Sequence, residues 1–165
     1  MTTSGSRIRE LVQQVLQSQW KQVGIDVRVR NEPPRVFFGQ TQHERRFTGL
    51  AMFGWGKGPE HVPRSTLHSE EIPTAENGWS GQNYTGYRNP EMDALIEAIG
   101  VELDREKRKQ MWYRLQEIYA EDVPVIGLYW RSTPYILPKW LKGLQPTGQM
   151  APSSLWVEDW TVEGR

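Results

Sequence analysis

The chain has 165 residues, enough for one domain with its own apolar core. Its 20 basic and 20 acidic residues cancel, so it lacks the cationic excess that marks a nucleic-acid binder. It has no cysteine, which excludes disulfides and thiolate metal sites, and no apolar run of the ~20 residues that a membrane helix needs.

Met1 to Ser6 is small and polar, without the basic start and apolar run of a signal peptide. This predicts a flexible leader over 1–6, followed by a single lobe over 7–165. Arg7 to Val23 predicts an amphipathic helix, with Ile8, Leu11, Val12, Val15, Leu16, Trp20 and Val23 on the buried face. Gly24 is placed to end it. Ile25 to Arg30 alternates apolar and polar, which predicts a strand. Pro33 and Pro34 can open a second helix through Val36, Phe37 and Phe38, although Gly39 weakens it. His43, Glu44, Arg45 and Arg46 are expected to be solvated. Thr48 to Phe53 is a short apolar run, expected to be a buried strand.

Gly54-Trp-Gly-Lys-Gly58 surrounds one tryptophan with three glycines, so the backbone is free and the indole of Trp55 has no bulky neighbour in sequence. It is one of eight tryptophans, most of which are expected to pack rather than bind. Residues 59–78 hold three prolines and no clear period, as a binding loop or lid does. His61, His68, Glu70 and Glu71 lie there, but their spacing fits no compact metal motif, so neither metal nor cofactor is predicted.

Trp79 leads into Gly81-Gln-Asn-Tyr-Thr-Gly-Tyr-Arg88, a polar, aromatic, glycine-bearing loop suited to present a site. A helix follows over 89–99. Asn89 can cap it, Pro90 falls at its first position, and Glu91 and Asp93 put negative charge in its first turn. Met92, Leu95, Ile96 and Ile99 share its apolar stripe. Asp104 can cap a further helix over 105–120, with Met111, Trp112, Leu115, Ile118 and Tyr119 buried. Val125 to Trp130 is dense and apolar and predicts a buried central strand. Pro134 to Pro138 predicts an edge strand, and Leu155 to Trp160 either a last short strand or a loosely packed tail.

Taken in order, these motifs resemble a known family. Helix, Val-Gly-Ile strand, Gly-Trp loop, Asn83-Tyr84 with Asn89-Pro-Glu-Met-Asp-Ala-Leu-Ile96, long helix and Asp122-Val-Pro-Val-Ile-Gly-Leu-Tyr-Trp130 are similar to the C-terminal lobe of the extracellular substrate-binding proteins of peptide- and nickel-type ABC importers. The resemblance covers about Leu11 to Leu144. It implies an α/β fold, a mixed sheet with packed helices, forming one lobe of a periplasmic-binding-protein-like (type II) fold. It implies a peptide or other small solute as ligand, no catalysis, and a periplasmic or extracellular parent. The implied partners are a second lobe and an ABC permease, with self-association through the exposed cleft face. Absence of a signal segment then suggests an excised piece. By resemblance the cleft wall would comprise Trp55, Asn83 and Tyr84, with Glu60 and Trp79 as further candidates. In the family an acidic residue shortly after the Gly-Trp pair often binds a peptide's α-ammonium, and Glu60 stands displaced from that position.

Two alternatives come from other classes. One is a stand-alone tryptophan-rich module that binds a protein or sugar. The other is a hydrolase built on Ser65, His68 and Glu70, for which the sequence supplies no orienting acid and no oxyanion hole.

Overall fold

The computed structural model describes residues 1–56, 58, 61–132, 134–146 and 153–164. The chain forms two compact units, Met1–Gly54 with Val62–Val125, and Trp55–His61 with Ile126–Arg165.

The first unit is built on a small parallel sheet. Strand β1 (Thr2–Ser4) lies in its middle, between β2 (Arg30–Glu32) and β3 (Ala51–Met52). Thr2 pairs with Arg30 on one side and Ala51 on the other. The expectation of a flexible leader over 1–6 is thus corrected: Thr3 is fully buried and Ser4 is 1% exposed. The cause is chemical. Threonine suits a strand, and here the hydroxyls of Thr2 and Thr3 donate to the carbonyls of Arg30 and Met52. Three residues are too few to show a strand's alternation in sequence.

Helix α1 (Arg7–Gln22) makes the crossover from β1 to β2 that a parallel pair requires. Its end is a Schellman turn. Gly24, at φ +82°, donates to Lys21 O, and Ile25 donates to Trp20 O. The helix does not bury the apolar face its sequence predicts. It sets Gln13 against β2 and Gln17, one turn on, against the segment that leads into β2. Gln13 Nε2 donates to Asn31 Oδ1 at 2.8 Å and Gln17 Nε2 to Val27 O at 2.6 Å. Ile8, Leu11 and Val15 stay exposed, and Val12, Leu16 and Trp20 are half-buried. The neighbouring strand, Arg30-Asn31-Glu32, is polar, so the matching side of the helix is polar too. The strand also begins later than expected: Ile25 to Val29 lie outside the ladder.

Helix α2 (Pro34–Val36) runs into a wider π-turn (Phe37–Thr41) that accommodates Gly39 and buries Phe37 completely. Residues 61–78 hold more order than expected: α3 (Arg64–Leu67) is followed by a 3-10 turn (Ser69–Glu71). That turn is pinned to the next helix, because Ser69 donates both its N–H and its hydroxyl to the Asp93 carboxylate.

The hydrophobic core lies between α4 (Pro90–Val101) and α5 (Arg105–Asp122). Both start where the sequence predicts. Asn89 Oδ1 accepts from the N–H groups of Glu91 and Met92 at 2.9 and 3.2 Å, and Asp104 Oδ1 accepts from Lys107 N at 2.9 Å. Met92, Ile96, Ile99, Leu115 and Ile118 pack together with Leu67 of α3, and none is more than 4% exposed.

The second unit is sparser. Strand β4 (Leu141–Lys142) pairs antiparallel with β5 (Thr161–Val162). Between them Ser153–Asp159 forms 3-10 turns with a break at Trp156, where a short strand or a loosely packed tail was expected. The predicted central strand over 125–130 does not form: these residues join no ladder among the described residues, and Trp130 is 98% exposed. The edge strand over 134–138 is absent from the described ladders too.

Candidate functional site

The loop that precedes α4 is fixed from within by one side chain. Asn83 is fully buried, and its amide is saturated. Nδ2 donates to His68 O at 3.0 Å and Tyr87 O at 2.9 Å, while Oδ1 accepts from Tyr87 N and Thr85 Oγ1, both at 3.1 Å. An amide has two donor hydrogens and one acceptor oxygen with two lone pairs, so no capacity remains for a ligand. Sequence reasoning makes Asn83 a wall residue; in the structure its amide is spent on holding the loop.

Two glycines let this loop close. Gly81, at φ +99°, carries its α-carbon so near the Glu71 carbonyl that a β-carbon would fall 2.2 Å from that oxygen. Gly86, at φ +73°, leaves room for the Arg45 guanidinium, 2.1 Å from where a β-carbon would stand.

Arg45 was expected to be solvated and is instead half-buried, in the left-handed region at φ 53°. Its Nε donates to Tyr84 O at 3.0 Å. The sequence signal for it is faint, since an arginine in a charged run gives no hint of a carbonyl 39 residues away.

Asn83 and Arg45 together present Tyr84. Its ring is half-buried and meets Phe53 edge to face, with centroids 6.0 Å apart. Burial raises its phenol above the ordinary value of 10.0. Phe53 stands 6.2 Å from Phe37, which stands 5.0 Å from Phe38. Phe53 directly follows β3, so this aromatic row lies at the carboxyl end of the parallel sheet. Ligands of open α/β sheets bind outside the carboxyl ends of the strands. Phe37, Phe38 and Phe53 went unrecognised as site residues, because the sequence shows them only as parts of a helix and a strand.

Of the other candidates, Trp79 is half-buried in a left-handed turn at φ 63°, its N–H on Thr74 O at 2.8 Å. Trp55 belongs to the second unit and is 41% exposed. Glu60 lies outside the described residues. Tyr87 joins the edge of the α4–α5 core and donates its hydroxyl to Asp122.

His68 does not offer a free ring. It is 6% exposed, its Nδ1 accepts from Glu70 N at 3.2 Å, and its Nε2 faces Glu97 Oε1 at 3.3 Å. The carboxylates around it are taken by Arg64, which pairs with Glu70, Glu71 and Glu97. Among the described residues no group of three His, Asp or Glu side chains is placed to hold a metal ion. No helix among them is long and apolar enough to cross a membrane.

The fold defines the class: an α/β lobe of the periplasmic-binding-protein-like, type II kind. No family model matches the chain. It is 28% identical over 134 residues to the oligopeptide-binding protein OppA of Bacillus subtilis, an alignment that spans 81% of this chain and 23% of that protein. It superposes with a TM-score of 0.78 on the crystal structure of the oligopeptide-binding protein of Thermus thermophilus complexed with a pentapeptide. There the identity is 33%, over 87% of this chain and 26% of the other. The structure of AppA from Bacillus subtilis in complex with a nonapeptide shares the fold, with a TM-score of 0.74 at 22% identity, over 99% of this chain and 31% of that one. The chain is therefore similar to oligopeptide-binding proteins, and spans about a quarter of the length of the relatives it matches.

Proposed function

We propose that the chain supplies one wall of a two-walled binder of peptides or peptide-like solutes, working for import by an ABC transporter, without catalysis. The observation that carries this is the Tyr84–Phe53 pair at the carboxyl end of the parallel sheet, held there by Asn83 and Arg45. A relative of the same fold, complexed with a pentapeptide, supports the ligand class. In the proposal Tyr84 gives an aromatic face to a ligand side chain. Asn83 acts through the loop and touches no ligand. The parent protein would work in the periplasm or outside the cell, with a second lobe and a permease as partners.

Calorimetric titration with a pool of short peptides tests this. A two-walled receptor of micromolar affinity has about −8 kcal/mol of binding free energy, and one wall with half the contacts keeps about −4 kcal/mol, a dissociation constant near ~1 mM. The expected result is therefore weak binding that Tyr84→Ala abolishes. Submicromolar binding to this chain alone would overturn the half-site and identify a self-sufficient module.

A further inference from the structure

A second concavity lies on the face of the sheet turned away from α1. Arg30 and Glu32 are two residues apart on β2, so their side chains share a face. Asn31 between them takes the other face, where it meets Gln13 of α1. Arg30 and Glu32 line a groove of about 700 Å³, within the range of about 300–1,000 Å³ of small-molecule sites. Val36 of α2, with Gln40 and Thr41 of the π-turn, also lines it. So do Phe47, Thr48 and Leu50, which lead into β3. None of Phe37, Phe38, Phe53 and Tyr84 lines it, so it is separate from the aromatic row.

The groove holds a carboxylate oxygen that the chain leaves unmet. The Glu32 side chain is only 9% exposed. Its Oε1 faces Arg30 Nε at 3.3 Å, and its Oε2 is buried without a hydrogen-bond partner among the described residues. Buried oxygens are as a rule hydrogen-bonded, so this one calls for a donor. The other charges select which donor. Arg30 sits beside Glu32, Arg46 pairs with Glu44, and Asp26 and Arg28 add one charge of each sign, so the lining favours neither a cation nor an anion. An ammonium only donates, and it would be set beside Arg30. A carboxylate only accepts, and it would stand against Glu32. A hydroxyl does both. It can donate to Glu32 Oε2 while its neighbours on the same solute meet Gln40, Thr41 and Thr48, and Phe47 offers a ring to the C–H face of that solute. We infer that this groove is a second binding site, for a neutral polyhydroxylated solute, a sugar or polyol, with Glu32 as the acceptor that anchors it. The site goes beyond the peptide wall and does not depend on it.

The test titrates glucose, sorbitol, methylammonium chloride and sodium acetate separately into the full chain and follows the Thr41 and Thr48 methyl and Phe47 ring signals by NMR. Glucose or sorbitol should shift all three to saturation, and methylammonium and acetate should not. Glu32→Gln keeps the size of the side chain and should weaken the hydroxylated probe about tenfold, the worth of one hydrogen bond to a charged group. Thr48→Val, at an exposed position, removes a hydroxyl without touching Glu32 and should weaken the probe as well. It carries the test should Glu32→Gln fail to fold. Tyr84→Ala should leave the affinity for the hydroxylated probe unchanged. No saturable shift with either glucose or sorbitol overturns the inference, as do equal shifts with methylammonium or acetate. Full-strength binding of the hydroxylated probe in the folded variants at 32 and 48 overturns it too. Loss of the shifts in Tyr84→Ala would place the probe at the aromatic row and overturn the second site.

Discussion

The α4–α5 hairpin and the segment from Ile126 to Leu137 are both rich in large apolar residues, and their fates are opposite. In the hairpin Met92, Ile96 and Ile118 are at most 2% exposed. In the segment Ile126, Trp130 and Ile136 are 58%, 98% and 96% exposed. The difference lies in who supplies the partner. A helix completes its own backbone hydrogen bonds, and α4 finds its packing partner in the next helix along the chain. A strand leaves its N–H and C=O groups to be met by another strand. Among the described residues none pairs with 126–137. Apolar content therefore predicts burial only where the neighbour is at hand.

The sharpest way to break this comparison is one substitution in each region. Ile96→Ala removes a side chain that is 2% exposed at the centre of the core, and should cost about 3 kcal/mol. Ile136→Ala trims one that is 96% exposed and should change stability by no more than about 0.5 kcal/mol. Denaturant midpoints of the two variants decide it. Comparable losses would mean that residues 126–137 are packed in solution after all.

The loop before α4 belongs with the hairpin, since its order is local and polar. Asn83→Ala strands the His68 and Tyr87 carbonyls and the Tyr87 N–H, and should cost about 2 kcal/mol, less than the core cavity. Asn83 is spent on the loop, so this variant should also lose the Tyr84–Phe53 ring contact, visible as a shift of the Phe53 ring resonances. A stable variant with that contact intact would return Asn83 to the list of wall residues.

How far the sequence can be read follows the same division. The starts of α4 and α5 are legible because a cap is a single side chain acting within three residues. Gly24 is legible for the same reason. The α/β class and the kinship also come through, because they rest on the order of such local signals. What stays hidden is what depends on distant partners. Thr2 to Ser4 become a strand only because Arg30 and Ala51 flank them. The glutamine face of α1 is chosen by the polar strand opposite. The loop before α4 shows both limits: Tyr84 stands out in its motif, while its contacts with Arg45 and Phe53 arise only through the fold.

A smaller expected effect is at the cap itself. Asn89→Ala removes the acceptor for the Glu91 and Met92 N–H groups and should lower stability by ~1 kcal/mol. An unchanged denaturant midpoint would show that water replaces the cap at no cost. Asn89 has a second role, because its Nδ2 also donates to Asp122 Oδ2 at 2.9 Å. The cap of α4 is thereby tied to the last turn of α5.

That tie makes a pH dependence with a definite sign. The Tyr87 hydroxyl and then the Asn89 amide hold the Asp122 carboxyl below its ordinary value of 3.8. A carboxyl whose pKa is lower in the folded state binds its proton first in the unfolded chain as the pH falls. Its contribution is present above the ordinary value and is lost as the pH drops through the lowered one. The phenol of Tyr87 moves the other way, raised by burial and then by Asp122. It loses its proton first in the unfolded chain, so its contribution fades as the pH rises past its ordinary value of 10.0. Asp122 is open to solvent, so both effects should be small beside those above. Denaturant midpoints measured from pH 7 down to acid for the native chain and for Asp122→Asn would isolate the first. The native midpoint should fall more steeply below about pH 4 than that of the variant. Tyr87→Phe should have a shallower acid slope too, because Asp122 then keeps only Asn89, and it should lessen the decline above about pH 10, to which the buried Tyr84 and Tyr119 phenols also contribute. Parallel slopes for all three proteins would mean that the two helix ends are joined by apolar packing alone.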